Sequence, residues 1–175
     1  ETNCSKRFFE LMGEANFLDI LFPCFHHFFF GHHSKKAFSY LHAIDKLHSE
    51  RERPLDRACL LASLAYPILE QELITLSQDR QHVLSLAEII TLSESLLHGI
   101  DTSSFAHFPR KLLAQTHFVL VNQFRLTPLK GNPKFHTRFS SHQEFEQALS
   151  FLEIRSTVDP SLKEIYLDWE KAHKT

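Results

Sequence analysis

The sequence predicts an all-α protein, an irregular bundle of about seven or eight helices rather than a solenoid. Three observations carry that expectation. Apolar residues recur at spacings of three and four along almost the whole chain. Only four glycines and seven prolines occur in 175 residues, too few for the tight turns of an all-β chain. No segment recurs at a fixed interval, as stacked repeats would require. With 43% apolar and 23% charged residues the composition is globular. A chain of this length buries about 70% of its unfolded surface.

The elements follow in order. "SKKAFSYLHAIDKL" places Ala37, Phe38, Leu41, Ile44 and Leu47 on one stripe behind Ser34, an expected N-cap. The next helix is expected to open at Pro54 and to bury Ala58, Leu61, Ala62, Ala65, Ile68 and Leu69. Pro67 lies inside that run and predicts a kink or a division. "HVLSLAEIITLSESLLHGI" repeats Leu86, Ile89, Ile90, Leu96 and Leu97 and is expected to stop at His98-Gly99. "FPRKLLAQTHFVLVNQFRL" predicts a helix from near Pro109, although "HFVLV" alone would pass for a strand. Ser141 and Glu144 have the spacing of a capping box before "EFEQALSFLEIR". Asp159 as N-cap and Pro160 as first-turn residue open the last helix.

Charge is unevenly spread. The chain carries 19 Lys and Arg against 21 Asp and Glu. Yet residues 102–143 hold no acid, while Arg110, Lys111, Arg125, Lys130, Lys134 and Arg138 fall among them. A segment that keeps carboxylates away from its cations keeps a positive field, and phosphate backbones are the commonest partner for one. Phe124, Phe135, His136 and Phe139 are interleaved, as rings that stack on unpaired bases would be. The bland alternative is that the rings are core and the cations solubilise.

Other chemistries find little support. "CFHHFFFGHH" collects Cys24, His26, His27, His32 and His33, but adjacent helical side chains diverge by about 100°, and no second pair at zinc-finger spacing follows. His42 and Asp45 share a helix face without a second metal-binding set, so a surface or capping role is expected. No G-x-S-x-G, Walker or G-x-G-x-x-G motif occurs, so no catalytic residue and no metal ligand is assigned. Cys4, Cys24 and Cys59 are odd in number and widely spaced, which fits a reducing compartment. The longest apolar run, residues 59–69, falls short of the roughly 20 residues of a membrane span. No membrane partner is therefore expected, and the location expected is cytoplasmic. Glu1 in place of Met predicts a piece of a longer protein.

Several stretches together resemble the C-terminal part of bacterial poly(A) polymerase I, in the nucleotidyltransferase family that includes CCA-adding enzymes. "SKRFFELMGEANFLDILFP" resembles the family's segment ending in Leu-Phe-Pro, and "ACLLASLAYPILE" its helix with an aromatic-Pro pair. Pro109, Arg110, Lys111, Gln123, Arg125 and Leu126 resemble its "Pro-(Lys/Arg)-(Lys/Arg) … Gln-x-Arg-Leu" helix. His142, Phe145, Ala148, Leu152, Arg155 and Trp169 resemble its closing region. The family's dense basic cluster is replaced after Arg125 by "TPLKGNPK".

The resemblance implies a helical neck-and-body portion over residues 1–100 and an RNA-binding body portion over 101–175, packed as one unit. It implies that this body grips a single-stranded RNA 3′ end. A separate N-terminal head domain would add AMP from ATP, with Mg²⁺ and ATP bound there and no cofactor in this chain. Arg110, Lys111, Arg125, Lys130, Lys134 and Arg138 would track phosphates, with Phe135 or His136 stacking on a base. The alternatives are a helical protein-interaction domain with a basic face and the body of a CCA-adding enzyme.

Overall fold

The computed structural model describes residues 4–51, 54–105, 107–129 and 144–174. Among these residues there are nine α-helices and no strand, and 82% of the residues are helical. The all-α expectation therefore holds. The helices are α1 (Ser5–Glu14), α2 (Phe17–Leu21), α3 (Pro23–Phe29), α4 (Ser34–Glu50) and α5 (Arg57–Arg80). They continue with α6 (Leu86–Ser103), α7 (Arg110–Leu126), α8 (Phe145–Val158) and α9 (Lys163–Lys174). A 3-10 turn at Pro160–Leu162 precedes α9.

Local signals explain most of these boundaries. Ser85 and Glu88 form a reciprocal capping box that starts α6. Asp159 accepts the Ser161 N–H at 3.0 Å and opens the final turn as its sequence suggests. Ser34 is the first residue of α4 rather than its cap, which is His33. Ser141 lies outside the described residues, and Glu144 is the N-cap of α8 rather than the third helical residue the expected capping box requires. "HFVLV" is helical, inside α7.

Three further expectations are corrected, that for Pro67 only as to a division of the helix. α5 begins at Arg57 instead of Pro54, because the Asp56 carboxylate accepts the Ala58 N–H at 2.7 Å and fixes the start there. Pro67 does not divide α5, which runs on to Arg80. A proline costs a helix interior about 3 kcal/mol, and here buried Ala65 and Tyr66 before it and Ile68 and Leu69 after it hold both halves in one core. α6 does not stop at Gly99. Fully buried Ile100 carries the apolar stripe onward, and its carbonyl accepts the Ser104 hydroxyl at 2.5 Å where the helix ends.

The core forms around α5. The rings of Tyr40 (α4), Tyr66 (α5), Phe124 (α7) and Phe151 (α8) meet there, with Tyr66 5.4 Å from Phe151 and 6.2 Å from Phe124. α7 packs against α5, α6 and α8, and α8 also meets α4. Leu126, Phe145, Leu152 and Trp169 make a second apolar cluster joining α7, α8 and α9. α5 is long and apolar enough to cross a membrane by length and composition, but 56% of its most apolar window is buried, and this burial accounts for its composition. The expected stripe of α6 holds at Ile89, Leu96 and Leu97, which are buried, whereas Leu86 is exposed.

Candidate nucleic-acid interface

α7 supplies the described cations of the acid-free stretch. Arg110 and Lys111 occupy its first turn and are exposed; Arg125 lies in its last turn and is exposed. At about 100° per residue the three side chains fall within an arc of about 100° on one face. At a rise of about 1.5 Å per residue, Arg125 sits about 21 Å along the axis from Lys111. The cations therefore form a stripe with a gap and not a cluster. Lys130, Lys134, Phe135, His136 and Arg138 lie outside the described residues.

The N-terminal end of α7 is electrostatically unusual. Its first turn holds no acid, and Pro109 caps it without any side-chain hydrogen bond. The first N–H to find a backbone carbonyl is that of Leu113, bonded to Pro109 at 3.1 Å. Cations at a helix N-terminus oppose the macrodipole, at a cost of about 0.3–1 kcal/mol each. Arg110 and Lys111 form no ion pair among the described residues. Asp101, the preceding acid in the chain, accepts the Phe108 N–H at 2.7 Å and lies 3.6 Å from His107. Two uncompensated cations and an uncapped helix end together favour an anion.

Phe124 does not join this face. Its side chain is only 9% exposed and packs on Tyr66, because a fourth aromatic ring completes the α4–α5–α8 contact. The expectation that Phe124 offers a stacking surface is corrected on that ground.

The residues that carried the resemblance mostly hold the bundle together. Gln123 is fully buried; its Nε2 donates to the carbonyls of Val119 and Ala148, both at 3.0 Å. Its Oε1 accepts Arg155 Nη1 at 3.3 Å, and the same nitrogen donates to Thr127 Oγ1 at 2.8 Å. The Arg155 guanidinium lies 4.7 Å from the Tyr66 ring centre. Burial pushes the Tyr66 hydroxyl up to about 12 despite the lowering influence of Arg155, and burial raises Tyr40 as well. Trp169 donates its indole N–H to the Leu126 carbonyl at 3.0 Å, tying α9 to the last turn of α7.

Comparison with family models, with characterised proteins and with solved structures gives no match. The site is therefore read from its own geometry.

Among the remaining sequence candidates, Asp45, His26 and His33 have structural partners. Asp45 accepts the N–H groups of Ser5 at 2.7 Å and Lys6 at 3.1 Å, capping α1 from a different helix, while His42 is exposed. His26 stacks on Phe30 and His33 on Phe28, so these two rings face different aromatic neighbours. Among the described residues no three His, Cys, Asp or Glu side chains stand together as a metal site. What the sequence reading missed is the cross-helix capping by Asp45, since no local spacing links residues 5 and 45.

Proposed function

We propose that this chain is an RNA-gripping helical body of a poly(A) polymerase-like enzyme, holding an RNA 3′ end for a head domain that adds AMP from ATP. The observation that carries the reading is the N-terminal end of α7. There Arg110 and Lys111 are exposed, unopposed by any acid in that turn and set beside free helix N–H groups. Arg125 extends the same face by about four turns, so a bound strand would run along α7. The acid-free stretch continues in sequence through Lys130, Lys134 and Arg138, which this reading assigns to further phosphates, with Phe135 or His136 against a base. Mg²⁺ and ATP belong to the head domain, where metal ions would clamp the attacking hydroxyl and the leaving pyrophosphate. A CCA-adding body would use the same face and differ in the nucleotide added.

The test is the triple variant Arg110→Ala, Lys111→Ala, Arg125→Ala. All three side chains are exposed, so the fold survives while affinity for single-stranded RNA falls. Unchanged affinity would move the RNA face elsewhere.

A second reading, a helical protein-interaction domain with a basic face, is favoured by exposed apolar side chains on α1 and α2. Phe8, Phe17 and Ile20 are each more than half exposed. Such a surface would operate beside the α7 face.

A further inference from the structure

A cleft of about 460 Å³ opens between the second half of α5, the turn at 81–85 and the C-terminal end of α7. Ile74, Val83 and Leu129 line it while remaining 44%, 38% and 50% exposed, and so mark its mouth. Tyr66 and Arg155, 2% and 8% exposed, mark its floor. The cleft is thus largely apolar, with one buried guanidinium at its base.

The charge of Arg155 is not matched by its neighbours. Its hydrogen-bond acceptors, Gln123 and Thr127, are neutral, and it forms no ion pair with a carboxylate among the described residues. The Tyr66 hydroxyl, held up near 12, is a neutral phenol under physiological conditions. Glu70 also lines the cleft, but its carboxylate is ion-paired with Lys36. Asp159 feels Arg155, yet its oxygens are held first by the hydroxyl and N–H of Ser161. A buried cation without a counter-charge is costly, and a ligand that brings the missing charge relieves that cost. Exposed aliphatic side chains at the mouth would gain by being covered.

We propose that this cleft binds a small amphipathic carboxylate, with the carboxylate directed to Arg155 and an aliphatic or aromatic body against Leu84, Ile74, Val83 and Leu129. The site is separate from the α7 face and does not depend on the RNA reading. Its chemistry is that of an apolar pocket with one charge-assisted contact that fixes orientation.

Octanoate is the probe, titrated into the whole chain and followed by amide chemical shifts, with octanol as the uncharged control. Octanoate should perturb resonances around Ile74, Leu84 and Leu129 and bind about tenfold more tightly than octanol. Ile74→Trp, a change at the exposed mouth that leaves the buried network intact, should block the cleft and abolish those shifts with an unchanged circular dichroism spectrum. Arg155→Gln, if folded, should erase the preference for octanoate over octanol. Equal affinity for the two probes, no response to octanoate, or full binding by the Ile74→Trp variant would each overturn the proposal.

Discussion

Gln123 and Arg155 meet in the buried centre of the bundle, Nη1 to Oε1 at 3.3 Å across 32 residues of sequence. Gln123 at the same time bonds the Ala148 carbonyl of α8, so one side chain serves α7 internally and α8 twice. Without it a buried guanidinium would lose an acceptor and two carbonyls would lose a donor. Gln123→Leu should therefore destabilise the protein by about 1.5–3 kcal/mol, the range for hydrogen bonds to charged groups. Urea unfolding measures it, and a loss below about 0.5 kcal/mol would mean that the network is dispensable.

Trp169 offers a graded test. Its side chain is 1% exposed and its N–H closes the end of α7 on Leu126. Trp169→Ala should cost about 3–5 kcal/mol by cavity formation. Trp169→Phe should cost less, about 1–3 kcal/mol, since it keeps most of the packing and leaves a buried carbonyl unmet. Equal losses for the two variants would show that the hydrogen bond, not the packing, dominates.

Helix α6 should show its capping box in the pH profile. Hydrogen bonds from the Ser85 N–H and hydroxyl hold the Glu88 carboxyl down at about 2. Its folded value is depressed, so the stabilisation is complete above the ordinary carboxylate value near 4 and fades as pH falls toward 2. Ser85→Ala should cost about 1 kcal/mol near neutrality. That difference from the parent should narrow between pH 5 and 2, read as melting temperatures. A gap that stays constant with pH would contradict the pairing.

The three thiols should separate by accessibility. Cys4 is exposed, Cys24 half-buried and Cys59 fully buried. Burial is the main reason that the Cys59 thiol is pushed up to about 12, and burial also raises Cys24. Alkylation at mildly alkaline pH, mapped by mass spectrometry, should therefore label Cys4 first, with Cys59 protected until unfolding. Early labelling of Cys59 would mean that the α5–α8 contact opens readily.

The sequence announces helix positions well because periodic apolar residues and side-chain caps are local signals. Ala58, Leu61, Ala62, Ala65, Ile68 and Leu69 are all buried as their spacing suggests. Where expectation and structure part, a distant contact decides. Pro67 and Gly99 look like breaks in isolation, but tertiary packing of Tyr66 and Ile100 overrides them. The candidate interface was partly visible: exposed Arg110, Lys111 and Arg125 lie on one face, as a charge pattern on a helix permits. The fate of Phe124 was not visible, since an aromatic ring among cations reads the same whether it stacks on a base or on Tyr66. Nor could spacing reveal that Gln123 of α7 meets Arg155 of α8, or that Trp169 of α9 meets the Leu126 carbonyl, because the partners come from different helices.

The most direct measurement is binding of the chain to single-stranded RNA across a salt titration. The RNA-gripping account predicts that the affinity falls with a log–log slope of about −3 to −4, as four to six phosphate contacts require at about −0.7 each. The triple α7 variant should flatten that slope. Absent binding at low salt, or binding insensitive to salt, would contradict the account and assign the basic face to another partner.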